Sequence, residues 1–298
     1  MNNCRLCPRA CGADRAAGQR GRCHETAEVR IARASLHAWE EPCLSGTRGA
    51  GTVFFTGCPL GCVYCQNYNI ADGSRGVPVT SKELTEVFLK LQDLGAHNID
   101  LVTPTHFVPQ IVPALERAKA MGLSIPVVYN TGTYEAVETL RMLEGLVDVW
   151  LPDFKYVSPD LAARYSNAPD YFEAAAAAIA EMVRQTPSCD FDEDGLMRRG
   201  VLVRHLVLPG CTEDSKAVLR YLFETYGDDL WLSIMRQFTP VRPVPGLDRP
   251  LTQAEYDEVV DFAMDLGITN AFVQEGEAVS ESFIPDFTSF DIHAFLNA

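Results

Sequence analysis

Basic residues are scarce in this chain. Its 298 residues carry 25 Lys and Arg against 40 Asp and Glu, a formal net charge of -15. The deficit is uneven: residues 1–34 hold seven Arg and three acids, so the remainder carries -19. An acidic body argues against nucleic acid as the main partner, because phosphate contacts dominate that binding. Long apolar runs are also lacking. None approaches the roughly 20 residues that span a bilayer, and Met1-Asn2-Asn3-Cys4-Arg5 has no apolar core for an export signal. The sequence therefore predicts a cytoplasmic protein with neither a membrane nor a nucleic acid among its partners. Nothing in it looks like an added RNA-binding module or a cobalamin domain. Cysteine, by contrast, is abundant. Ten cysteines without an export signal indicate metal or redox chemistry rather than a disulfide framework.

Three of the cysteines lie in Gly57-Cys58-Pro59-Leu60-Gly61-Cys62-Val63-Tyr64-Cys65, directly after the apolar run Thr52-Val53-Phe54-Phe55, which reads as a buried strand. The spacing is C-x3-C-x2-C. Gly57, Pro59 and Gly61 supply the tight turns that bring three sulfurs toward one small inorganic object. Four thiolates would close a zinc site or saturate a four-iron cluster. Three leave one iron open, which is a catalytic arrangement.

With Tyr64 before its last cysteine, the motif resembles the radical S-adenosylmethionine (SAM) superfamily. The following Gln66-Asn67 completes C-x-Y-C-Q-N, a string similar to proteins of the pyruvate formate-lyase-activating-enzyme branch. The plainer accounts are a zinc knuckle or three buried thiols. The strand before the motif, its glycines and its aromatic residue favour the resemblance. It implies a [4Fe-4S] cluster on Cys58, Cys62 and Cys65 whose open iron chelates SAM. It also implies reductive cleavage to a 5′-deoxyadenosyl radical, an electron from a flavodoxin- or ferredoxin-like donor, and a partial (β/α)6 TIM-like barrel. The branch further implies hydrogen abstraction from a glycine of a partner glycyl-radical enzyme. The alternatives are a small molecule or another macromolecule as target, or a non-enzymatic iron–sulfur electron-transfer module.

A second cysteine group opens the chain: Cys4, Cys7, Cys11 and Cys23. Arg, Gly and Pro fill the gaps, so the segment has too few large apolar residues for a core and needs a staple. Four thiolates at these spacings suit a closed tetrahedral site, zinc or iron–sulfur, and the spacing does not choose between them. Relatives in the branch share C-x2-C-P-R-x-C-G. The expected organisation is a cysteine-rich metal-binding segment over 1–48 and a barrel over 49–298.

Beyond residue 76 the chain alternates between strand and helix. Strands are expected at 52–56, 98–102, 125–129, 147–151, 201–208, 230–235 and 271–273. Helices are expected at 82–94, 109–121, 133–143, 158–165, 171–184, 215–226 and 252–266. Repeated strand-then-helix units mean a parallel sheet with crossover helices.

Working residues of such barrels sit where strands end. That rule selects Thr103, Thr105 and His106, then Asn130, Asp153 and Lys155, Arg204 and His205, Gln237, and Gln274 with Glu275. The resemblance assigns some of them to SAM. Thr103 and Thr105 stand where the family has Gly-Gly-Glu for the amino group. Asp153 and Lys155 match an Asp-x-Lys pair near the methionyl carboxylate. Gln237 replaces a histidine near the ribose, and Tyr64 and Asn130 complete the cofactor-binding set. Asp190-x-Asp192-x-Asp194-Gly195 opens like a calcium loop, but its twelfth position is Val201, so an exposed acidic turn is expected. Cys43 is the isolated cysteine expected nearest the site. The apolar stretch 283–287 is a candidate cover for the barrel mouth.

Overall fold

The computed structural model describes residues 3–274 and 285–297. The sheet begins earlier than the sequence suggests. β1 (Arg30–His37) pairs antiparallel with β2 (Ala50–Phe55), and the short β3 (Val77–Pro78) pairs with β1. Residues 30–37 thus belong to the barrel sheet and not to the cysteine-rich unit expected to run to 48. Ile31, Ala32 and Ala34 are buried. Small alanines and interleaved arginines hide the period of two, and a register shift between Ile31 and Arg33 breaks it.

From β2 onward the chain builds a parallel sheet. β4 (Ile99–Val102), β5 (Val127–Thr131) and β6 (Val149–Pro152) follow in order. β7 (Asp190–Phe191) is a short antiparallel partner of β8 (Met197–Leu206). It carries the acidic turn, where Asp192 Oδ1 accepts from the Asp194 and Leu196 amides. β8 returns to the sheet beside β6, followed by β9 (Trp231–Met235) and β10 (Ala271–Val273). The order is β10-β9-β8-β6-β5-β4-β2-β1-β3. Among the described residues the end strands β10 and β3 do not pair, so the barrel is partial, with a cysteine-rich N-terminal extension.

The helices pack against the sheet and against one another. α1 (Pro42–Ser45) and α2 (Tyr68–Ala71) are single turns. α3 (Ser81–Asp93) starts on a capping box between Thr80 and Glu83 and buries Leu84, Val87, Phe88 and Leu91 completely. Each such side chain removed from water contributes about 1.5–3 kcal/mol. α4 (Val108–Ala120) packs on α3, and α5 (Val137–Arg141) is shorter than the expected helix from 133. The reason is local: Thr133 has φ +62° and its amide is bound by Thr131 Oγ1, which holds the chain out of the helical region. α6 (Pro159–Ser166), α7 (Tyr171–Gln185), α8 (Thr212–Tyr226), α9 (Gln253–Leu266) and α10 (Ile292–Asn297) complete the chain.

α1 does not lie outside the sheet. Cys43 and Leu44 pack with Val128, Val149, Leu151 and Leu202, inward-facing residues near the starts of the strands, and the Leu44 carbonyl accepts from Asn98 Nδ2. The β1–β2 connection therefore plugs the barrel floor. Cys43, expected near the entrance, is buried at the opposite end.

Candidate functional site

The cluster loop leaves β2 through Gly57 (φ +77°) and turns again at Gly61 (φ +67°). At Gly57 a Cβ would lie 2.4 Å from the Cys23 carbonyl oxygen, so only glycine fits. At Gly61 a Cβ would meet nothing within 4 Å: the loop borders open space there. Cys62 is buried, and its Sγ accepts a hydrogen bond from Ser166 Oγ at 3.0 Å. Burial, then the neighbouring Cys62, pushes the Cys58 thiol up to about 11. Burial, then Cys58 and Cys62, pushes the Cys65 thiol up to about 12. The same loop thus carries three thiols, two of them held neutral chiefly by burial.

Beside the loop lies a cavity of about 210 Å³ at the carboxyl ends of the strands. Cys62, Tyr64 and Cys65 line one side. Asn130, Asp153, Lys155, Arg204 and Gln237 line the others, with apolar walls from Phe54, Val102, Leu206, Met235 and Phe238. Tyr64 is buried edge-on to Phe238, and its hydroxyl accepts from Tyr156 OH at 2.7 Å.

Arg204 is the centre of the polar floor. Its guanidinium donates to Asp153 Oδ1 at 2.8 Å, Glu40 Oε2 at 3.1 Å and Asn130 Oδ1 at 2.7 Å. Lys155 Nζ donates to Asp153 Oδ2 at 2.8 Å. Burial works against the Asp153 carboxylate, but Arg204 and Lys155 outweigh it and hold the group below the usual range. Asn130 Nδ2 donates downward to Asp100, whose carboxyl is pushed well up by burial and by Glu40. Burial pushes Glu41 up to about 6.

Two of the residues expected to bind SAM stand elsewhere. Thr105 is buried and donates to Glu135 Oε1 at 2.6 Å. Thr131 Oγ1 bonds the same carboxylate, which burial pushes up to about 7. Thr105 therefore ties the ends of β4 and β5 together behind the cavity and does not line it. Thr103 does not line the cavity either, and it has φ +58°. A β-branched residue in the left-handed region is strained by about 1–3 kcal/mol. Thr103→Gly is expected to stabilise the fold by about 1 kcal/mol, while Thr103→Ala, which keeps a Cβ, gains nothing. Equal denaturation midpoints for the two variants would remove the strain argument. His106 and His205 are both buried away from the cavity. His106 Nε2 bonds the Thr56 carbonyl, and His205 bridges Phe154 O and Ser215 Oγ. Gln274 is bound to the Arg236 amide, and Glu275 lies outside the described residues.

The structure adds residues that the strand-end rule misses. His37 ends β1, Trp39 follows it, and Glu40 and Glu41 lead into the floor plug. Two signals were present: paired acids directly before Pro42, and an acid, Asp100, in the middle of an apolar strand.

The Radical SAM superfamily model matches residues 52–222. The chain belongs to the radical SAM superfamily. It is 28% identical over 279 residues to an uncharacterized protein of Methanocaldococcus jannaschii, covering 88% of this chain and 75% of that one. Among solved structures it is similar to methylornithine synthase, with a TM-score of 0.50 and 16% identity over 72% of this chain. It is also similar to SuiB of Streptococcus suis, with a TM-score of 0.47 and 13% identity over 74% of this chain. The chain spans 60% of the length of methylornithine synthase and 47% of that of SuiB. The likeness to methylornithine synthase shows the shared fold.

Membership of the radical SAM superfamily indicates an enzyme and implies a [4Fe-4S] cluster and SAM. Among the described residues no three or more His, Cys, Asp or Glu side chains are already gathered into a metal-binding arrangement. The donor set on the cluster loop nonetheless fits an iron–sulfur cluster. It offers three thiols on one loop, a hydroxyl donor to one sulfur, and open space beside Gly61. Fixed charges of both signs face the same cavity, which fits a zwitterionic ligand such as the methionyl end of SAM. Among the described residues no helix is long and apolar enough to cross a membrane.

Proposed function

We propose that the protein is a radical SAM oxidoreductase that takes hydrogen from a small polar molecule held between the cluster loop and the Arg204 floor. In this reading Cys58, Cys62 and Cys65 hold the [4Fe-4S] cluster. When bound, the cluster and SAM together supply a 5′-deoxyadenosyl radical. A flavodoxin- or ferredoxin-like protein is the electron donor. The protein's own residues bind, orient and exclude water. Lys155 and Asp153, locked to each other and to Arg204, present a fixed pair of charges. Asn130 and Gln237 add neutral amides. The Gln237 carbonyl accepts from Gln66 Nε2 at 3.1 Å, which ties the residue after the last cluster cysteine to the far wall.

The observation that carries the choice of substrate class is the cover over the cavity. Pro285 lines the cavity, and Phe287 packs edge-on against Phe54 at 5.2 Å between ring centroids. Phe283 and Ile284 lie outside the described residues. A terminal segment seated at the mouth suits a small substrate better than an inserted peptide loop. The second reading is a glycine of a partner glycyl-radical enzyme. It is favoured by the C-x-Y-C-Q-N string and by Trp39, which lines the cavity while 57% exposed.

The two readings separate in one experiment. Reconstituted, reduced enzyme is given SAM with either a metabolite extract or candidate glycyl-radical proteins. Substrate-dependent 5′-deoxyadenosine with the extract is the expected result. A glycyl doublet in the electron paramagnetic resonance spectrum of a partner protein would establish the second reading instead. Neither product, in enzyme with a full cluster, would remove both.

A further inference from the structure

We infer that Cys4, Cys7, Cys11 and Cys23 close a second, coordinatively saturated metal centre, and that this centre holds the cluster loop in place. The second half of the inference rests on the assignment of the cluster to Cys58, Cys62 and Cys65.

The segment before β1 has little core of its own, although Arg15 and Glu25 bond it to the barrel at the His106 carbonyl and Thr56. Among the described residues it contains one 3-10 turn, Arg15–Ala17, and one small apolar cluster of Cys4, Leu6 and Ala13. Yet its backbone is held in costly shapes beside the cysteines. Ala10, just before Cys11, has φ +39°, and His24, just after Cys23, has φ +69°. Neither is glycine, and each such residue costs about 1–3 kcal/mol. Two tight turns carry these residues: the Ala10 amide bonds the Cys7 carbonyl, and the His24 amide bonds the Gly21 carbonyl. Such strain persists only where something over-determines the fold.

The thiols point to what does so. A Cβ placed on Gly21 would lie 3.3 Å from Cys23 Sγ and 3.5 Å from Cys11 Sγ, so both sulfurs crowd one face of that glycine. The Gly12 amide bonds the Cys4 carbonyl and the Cys4 amide bonds the Ala13 carbonyl, which sets Cys4 beside Cys11. Cys7 opens the turn that the Ala10 amide closes on its carbonyl, so Cys7 and Cys11 flank one turn. The four cysteines thus share one compact unit, where metal binding would draw their sulfurs together and complete the fold. Four thiolates leave no open position, unlike the three of the cluster loop.

The unit is fastened to the cluster loop at its backbone. The Cys23 carbonyl accepts from the Cys58 amide at 3.2 Å. Arg9, two residues after Cys7, donates Nε to the Pro59 carbonyl at 3.0 Å and Nη2 to the Leu60 carbonyl at 3.3 Å. The same guanidinium reaches the Ser166 carbonyl at 3.0 Å, and Ser166 is the residue bonded to Cys62. A metal on the N-terminal thiols would thus fix the carbonyl that orients Cys58 and the arginine that clamps the residues between Cys58 and Cys62.

Two measurements test this on the full chain. In the Cys58→Ala/Cys62→Ala/Cys65→Ala variant, the first is elemental analysis for zinc, iron and acid-labile sulfide after separate incubation with zinc ion and with ferrous ion plus sulfide. The expected result is about one zinc per chain or one stoichiometric iron–sulfur centre, lost on adding Cys11→Ser. No bound metal under either condition overturns the site. The second is the rate at which a chelator bleaches the cluster in Arg9→Met and in Cys11→Ser, with the other cysteines intact. An acceleration of about 10-fold is expected, comparable to the loss of an outer-shell partner. Arg9→Met keeps all four thiols, so it decides the coupling even if Cys11→Ser does not fold. Bleaching within about 2-fold of the parent in Arg9→Met overturns the coupling. A chain that holds the N-terminal metal but never cleaves SAM would refute the proposed function and leave the second site standing.

Discussion

Cys62→Ala is expected to give a folded barrel that no longer cleaves SAM. The thiol sits on a loop outside the strand ladders, so the parallel sheet keeps its hydrogen bonds. Its removal leaves a small vacancy beside Ser166 and Tyr156, costing about 1–2 kcal/mol in a domain with a large buried core. The loss of function is of another order, because two thiolates do not retain a four-iron cluster. Iron and sulfide should fall to background after anaerobic reconstitution, 5′-deoxyadenosine with them, while far-ultraviolet circular dichroism stays that of the parent. Parental iron content and SAM cleavage in this variant would overturn the ligand assignment.

Arg204→Met is expected to act on stability as strongly as the first variant acts on chemistry. Arg204 neutralises Asp153 and Glu40 inside the barrel, with Glu41 a further 3.8 Å partner. Removing one partner of a buried ion pair costs about 3–5 kcal/mol, because the remaining charge is left without compensation. The sign of the pH dependence follows from burial. Glu40 and Glu41 already lie above the ordinary carboxyl range through burial, against the pull of Arg204. Without the guanidinium their folded-state pKa values rise further, so the folded state binds more protons than the unfolded state. Stability then falls as pH rises from about 5 to about 8, and the deficit against the parent is larger at the upper end. Arg204→Lys keeps the charge but loses the fork, and should recover part of the loss. Denaturant unfolding of the three proteins at both pH values checks this. A Met variant within about 1 kcal/mol of the parent at neutral pH would mean that the network contributes little.

The cluster loop was legible because its chemistry is local: three sulfurs within eight residues, with glycines where the backbone must turn. Asp153 and Lys155 were legible because they end an apolar strand. Thr105 was not, because a turn beyond the strand end swings it behind the sheet to Glu135, and strand alternation does not describe that turn. Glu40 meets Arg204 across 164 residues of chain, a distance that no local pattern spans. β1 was hidden by its composition: two alanines and two arginines carry no apolar alternation, and its place is set by pairing with β2. The expected boundary at residue 48 fails for the same reason, since the floor plug joins two strands of one sheet.

That plug has a bearing on how the chain folds. Glu40 and Glu41 sit on the link of a β1–β2 hairpin, so local pairing fixes them early and at low loop-closure cost. Arg204 is delivered much later, by a crossover strand. The carboxylates are therefore in position before the guanidinium loses its water. Each later βα unit would then close around acids already in place. A fragment beginning at residue 49 would have to dehydrate Arg204 with Asp153 alone among its acidic hydrogen-bond partners, and should stall as an open, aggregation-prone sheet.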